Sequence, residues 1–79
     1  MPVYTSQPRI ISFQLISSRE KEILELISFG MTTDEIAENL FVSQDTVKSH
    51  RKSLLNKMKV RNVAHLVRVA FEQGILQES

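Results

Sequence analysis

The sequence predicts an all-α domain of four helices behind an extended N-terminal arm, and three observations carry that expectation. From residue 15 onward the apolar residues recur at helical spacing. Helix-start signals precede the periodic segments in turn: Ser17 with Glu20, Thr32 with Glu35, Ser43, and Asn62. The only two glycines, Gly30 and Gly74, stand where an apolar period runs out. Helices are expected near 18–29, 33–40, 44–59 and 63–73, within a domain spanning 15–79 and following an arm or linker over 1–14.

A chain of 79 residues makes one small domain with a modest core. It has no cysteine, so neither a disulfide framework nor a thiolate zinc site is available. With 42% hydrophobic and 24% charged residues it reads as an ordinary globular chain. No apolar run reaches membrane-spanning length and no secretory signal is visible, so the expected location is cytoplasmic. The net charge of +1 says little, but its distribution is uneven: residues 1–40 carry −3 and residues 41–79 carry +4. That asymmetry points to a nucleic-acid face in the second half.

Residues 1 to 15 hold Pro2 and Pro8 and lack a helical period, hence the arm. Tyr4, Ile10, Ile11 and Phe13 are too apolar for a purely solvated tail. They pack on the body or a second subunit, or the arm is the stub of a linker. The first helix opens with the Ser17/Glu20 capping box, buries Ile23, Leu24, Leu26 and Ile27, and stops at Gly30. The second opens with the Thr32/Glu35 box and turns Ile36 and Leu40 inward, with the small Ala37 suited to a close helix crossing. Phe41 and Val42 bridge to Ser43, so the second and third segments form a helix-turn-helix. In such a unit the later helix enters the major groove while the earlier one crosses the backbone.

The third segment carries the chemistry. Between Lys48 and Arg61 stand six Lys or Arg residues and no carboxylate. At 100° per residue, Leu54 and Met58 fall within about 20° of Val47, forming a narrow apolar stripe. Asp45, Lys48, Ser49, Lys52, Asn56 and Lys59 lie opposite. Donors on a helix anchored from behind suit guanine O6 and N7, with flanking phosphates taking the remaining cations. A merely solvated basic face is the competing reading of the same run. Residue by residue, Lys48 and Lys52 are expected at bases or phosphates. Ser49 either lets the helix approach the base edges or is an indifferent exposed serine. Gln44 has the chemistry to read adenine, and Asp45 either accepts from cytosine N4 or favours the helix dipole. Thr46 bonds a phosphate or back-bonds to its own helix. Arg51 packs its stem and extends its head to a phosphate.

Asn62 caps the fourth helix, whose apolar set of Val63, Ala64, Leu66, Val67, Val69, Ala70 and Phe71 is wider than one core contact needs. Self-association is the expected use of the surplus, through Val63, Ala64, Val67 and Phe71. Ile75 and Leu76 are expected to fold back beneath it. His50 and His65 stand apart with no cysteine or patterned carboxylates near them, so no metal and no cofactor is expected. Glu20, Glu22, Glu35 and Glu38 are read as capping and solvated groups, and no nucleophile–base pairing suggests an enzyme.

With these pieces placed, the chain resembles the LuxR/GerE-type DNA-binding domain of bacterial transcription regulators over roughly residues 15 to 73. The blocks are Ser17, Arg19-Glu20, Glu22-Ile23-Leu24, Leu26-Ile27 and Gly30; Glu35-Ile36-Ala37, Leu40 and Val42-Ser43; Thr46-Val47-Lys48 and His50; and Lys57-Met58 and Val60. The resemblance implies a four-helix domain that dimerises through its last helix and binds double-stranded DNA at a two-fold operator. It places Lys48, Ser49 and Lys52 at bases and Ser43, Thr46 and Lys57 near phosphates; Thr32 and Asn56 complete the expected DNA-facing set. Lys57→Ala is accordingly expected to lower affinity for every sequence. Two departures stand out: Lys59 where a glycine is common, adding a cation, and Val63 where an arginine is common, adding apolar surface. Such domains usually follow a receiver or ligand-binding half, for which this chain has no room. Met1 followed directly by the arm leans towards a stand-alone regulator, although a fragment of a longer one reads the same.

The expected function is sequence-specific regulation as a homodimer, recruiting or obstructing RNA polymerase. Its rivals are a promoter-reading domain like that of a sigma factor, against which the apolar fourth helix argues, and a small helical adaptor that binds protein through that helix and the arm.

Overall fold

The computed structural model describes residues 16–77. The expectations for the arm over 1–14 lie outside those residues. Four α-helices follow in order: α1 (Ser18–Ser28), α2 (Thr33–Leu40), α3 (Gln44–Met58) and α4 (Val63–Glu72). The fold is all-α, as the periodicity predicts.

Each start is fixed by the residue the sequence nominates. Ser17 Oγ accepts from the Glu20 N–H at 3.0 Å while Glu20 Oε1 accepts from the Ser17 N–H at 3.0 Å. Thr32 and Glu35 repeat the exchange at 3.2 and 2.8 Å. Asn62 Oδ1 accepts from the His65 N–H at 2.9 Å. Each cap satisfies donors that the first helical turn leaves without a partner.

The ends share one device. After α1 the Gly30 N–H donates to Ile27 O and the Met31 N–H to Leu26 O, a Schellman closure around a left-handed Gly30 with φ of 87°. The same pairing closes α4 at Gly74, φ 80°. At α2 and α3 the left-handed position is held by Phe41 (φ 59°) and Lys59 (φ 58°), where a Cβ is strained. Three helices therefore end one residue before the expected limits: Phe29, Lys59 and Gln73 are caps.

α3 packs on each of the other three helices, α1 also touches α2 and α4, and α2 and α4 do not pack on each other. The core is assembled around that hub. Val47 and Leu54 (each 0% exposed) and Met58 meet Ile23, Leu24 and Ile27 from α1, Ile36 and Ala37 from α2, and Leu66 and Ala70 from α4. Ile75 and Leu76 close the base, both donating backbone N–H to Ala70 O. Removing apolar area from water at about 25 cal/mol per Å² makes a fully covered leucine worth roughly 2 kcal/mol. Leu26 and Leu40 pack only partly against this core.

Candidate nucleic-acid interface

The stripe that anchors α3 leaves its other side open. Gln44, Asp45, Thr46, Lys48, Ser49, Lys52, Asn56 and Lys59 are all exposed. Lys48 and Lys52 lie one turn apart with Ser49 beside Lys48, so three side chains able to donate occupy one strip. Neither lysine makes an ion pair among the described residues. Ser43 Oγ caps α3 by accepting from the Thr46 N–H at 3.1 Å. The two hydroxyls of Ser43 and Thr46 are 2.9 Å apart, so Thr46 is engaged with the cap. Asp45 sits in the first turn, at the positive end of the helix dipole.

Two cations behave otherwise. Arg51 is half-buried and its Nη1 donates to Thr33 Oγ1 at 2.9 Å, so the head expected at a phosphate is tied to the start of α2. Lys57 Nζ lies 2.8 Å from Glu20 Oε1, and Ser53 Oγ donates to Glu20 Oε2 at 2.8 Å. The sequence reads Glu20 as a capping, solvated group; it caps α1, but it is buried, 4% exposed. Burial by itself pushes its carboxyl up. Hydrogen bonds from Lys57, the Ser17 backbone and Ser53, together with the Lys57 charge, more than offset this and hold it down at about 2.

The sequence held the signal for this cluster. Glu20 precedes Ile23, Leu24 and Ile27 by three, four and seven residues, so it lies on the inward stripe of α1. Ser53 and Lys57 are one turn apart, flanking Leu54 and Met58. A carboxylate on an inward stripe requires donors, and these two are within reach.

Elsewhere, a groove of about 590 Å³ is lined by Asp34, Ala37, Glu38, Phe41, Val42 and Gln44. Its two carboxylates oppose a phosphate backbone, which leaves the Lys48–Lys52 strip as the cationic side of the helix-turn-helix. Phe41 in its lining is 94% exposed. Thr32 is exposed and caps α2. On α4, Leu66 and Ala70 face the core, whereas Val63 and Val67 are half-buried and Ala64 and Phe71 exposed. Spacings of three, four and seven residues set those four on one outer stripe.

This arrangement can be matched to known proteins. The family described as bacterial regulatory proteins, luxR family, matches residues 14–70. The chain belongs to that family. Its four helices form the family's DNA-binding helix-turn-helix domain. It is 40% identical over 73 residues to the oxygen regulatory protein NreC of Staphylococcus aureus strain bovine RF122 / ET3-1, covering 92% of this chain and 32% of that protein. NreC of strain JH9 is 40% identical over 65 residues, covering 82% of this chain and 30% of the other. The crystal structure of response regulator ChrA, from a heme-sensing two-component system, superposes with a TM-score of 0.75 at 33% identity. It covers 77% of this chain and 30% of that one. The chain thus spans about a third of the length of these relatives. Among the described residues no helix is long and apolar enough to cross a membrane.

Proposed function

We propose that this LuxR-family domain reads an operator with the N-terminal half of α3 in the major groove. The observation that carries the reading is the exposed strip of Lys48, Ser49 and Lys52 backed by fully buried Val47 and Leu54. Lys48 and Lys52 present ammonium donors to guanine edges, and Gln44 and Asn56 flank them. The Ser43 and Thr46 hydroxyls and Thr32 lie at the helix starts, where backbone N–H groups also favour phosphate. Arg51 supports the strip from α2 through Thr33. Lys57, already bonded to Glu20, is not counted in the contact set.

Val63, Ala64, Val67 and Phe71 supply an apolar stripe through which two copies pair, matching a two-fold operator. Regulation then works by position, the bound domain recruiting or blocking RNA polymerase in the cytoplasm. Selecting bound sequences from random duplexes tests the whole reading: a palindromic consensus is the expected outcome, and no enrichment refutes it. Within the selected operator, Lys52→Ala lowers affinity by about 1–3 kcal/mol, as loss of a base contact does. Unchanged operator affinity in that variant removes Lys52 from the base-reading face.

A further inference from the structure

We infer that Lys59, held in a strained left-handed turn at the end of α3, grips a DNA phosphate at the far wall of the groove. The inference rests on the DNA-binding reading above and adds a contact at the opposite end of the helix from the base-reading residues.

The helix ends expose the anomaly. α1 and α4 close on left-handed glycines, Gly30 and Gly74, whereas α2 and α3 close on Phe41 and Lys59. The turn after α3 uses backbone groups alone: the Lys59 N–H donates to Asn56 O at 3.2 Å and the Val60 N–H to Leu55 O at 3.0 Å. Glycine would make both bonds without the strain that a Cβ brings at φ 58°. Nor is the lysine side chain used within the domain, since it is exposed and makes no ion pair among the described residues. A charge at the negative end of the helix dipole is the plain alternative. A strained residue whose side chain serves no contact in the fold points instead to a use outside it.

Its position supplies that use. At 100° per residue, Lys48, Lys52 and Lys59 fall within about 40° of one another, so Lys59 closes the strip that Lys48 opens. Eleven residues separate Lys48 from Lys59. At 1.5 Å per residue that is about 16 Å along the axis, more than the roughly 12 Å width of the major groove. With the N-terminal end of α3 at the base edges, its other end stands over a wall of the groove, which is lined by phosphates. The flexible four-carbon stem carries the ammonium from the turn to the strand. Lys59 therefore has two opposite effects: it lowers the stability of the free domain and raises affinity for any duplex.

The test pairs thermal melts with affinity for a random-sequence duplex across a range of salt concentrations, using the 79-residue chain and four variants. Lys59→Gly should melt higher than wild type and yet bind more weakly at low salt. Its log–log salt slope should be shallower by about 0.9, one phosphate contact fewer. Lys59→Arg keeps the cation and should keep the slope. Phe41→Gly relieves the same backbone strain without removing a charge and should also keep it. Lys21→Gln removes an exposed cation of α1 and should leave the slope in place. An unchanged slope in Lys59→Gly, which a dipole role alone would give, overturns the inference, and so does a lower melting temperature. Equal loss of slope in Lys21→Gln would report net charge rather than contact and overturns it too. Because the deciding variant is the more stable one, a failure to fold cannot imitate the expected result. If the wild-type chain binds no duplex at the lowest salt, the DNA reading itself fails; a normal wild-type slope that Lys59→Gly retains sinks this inference alone.

Discussion

The two halves of α3 are built from similar residues and put to opposite uses. In the first, Lys48, Ser49 and Lys52 stand in solvent over a single inward Val47. In the second, Leu54 and Met58 are buried and Ser53 and Lys57 are bonded to Glu20; just past its end the cap Lys59 bends the chain away in a left-handed turn. One half is presented and the other fastened. The difference teaches that a basic run is not one electrostatic object: what each cation does depends on whether an acceptor from another helix, the Glu20 carboxylate for Lys57 or the Thr33 hydroxyl for Arg51, reaches it.

The comparison can be broken hardest at the fastened end. Leu54→Ala empties a fully buried site in the hub helix and should cost about 3 kcal/mol or more, a large share of the stability of so small a domain. Chemical denaturation should show the loss, with DNA affinity falling only as the folded fraction falls. Lys52→Ala, by contrast, should leave the denaturation midpoint in place.

Acid attacks the same end by charge. The Glu20 carboxyl stands at about 2 against an ordinary 4.5, a depressed value. Its contribution is therefore complete above the ordinary value and is lost as pH falls from there towards 2. The whole shift corresponds to about 3 kcal/mol, of which about 2 kcal/mol is lost between pH 6 and pH 3, read as the change in the stability difference between wild type and Glu20→Gln across that window. A difference that does not shrink across that window contradicts the assignment.

The smallest effect sharpens the contrast at its boundary. Lys59→Gly relieves a left-handed φ of 58° and should stabilise the domain by up to about 1 kcal/mol. Phe41→Gly, at φ 59° and 94% exposed, should behave alike. Thermal melts of the two variants check this, and a fall in Tm for both would show that the turns are held by something other than their closing bonds. The relief at Lys59 also gives a physical reason why glycine suits that position.

Local chemistry was legible because its causes are local. The caps at Ser17, Thr32, Ser43 and Asn62, the stop at Gly30 and the stripe of Val47, Leu54 and Met58 each depend on residues a few positions apart. The exposed strip of Lys48 and Lys52 followed from the same geometry. The helices stop one residue short of the expected limits at Phe29, Lys59 and Gln73, since a cap is set by backbone bonds that composition does not show.

Sequence by itself determined the four helices, their amphipathic faces and the family to which their spacing belongs, because periodicity and capping act within one or two turns. Only the tertiary structure decided which charges meet. Glu20 finds Lys57 thirty-seven residues away, and Arg51 finds Thr33 across eighteen. Such pairings depend on how α1 and α2 cross α3, and that crossing is fixed by the packed core as a whole.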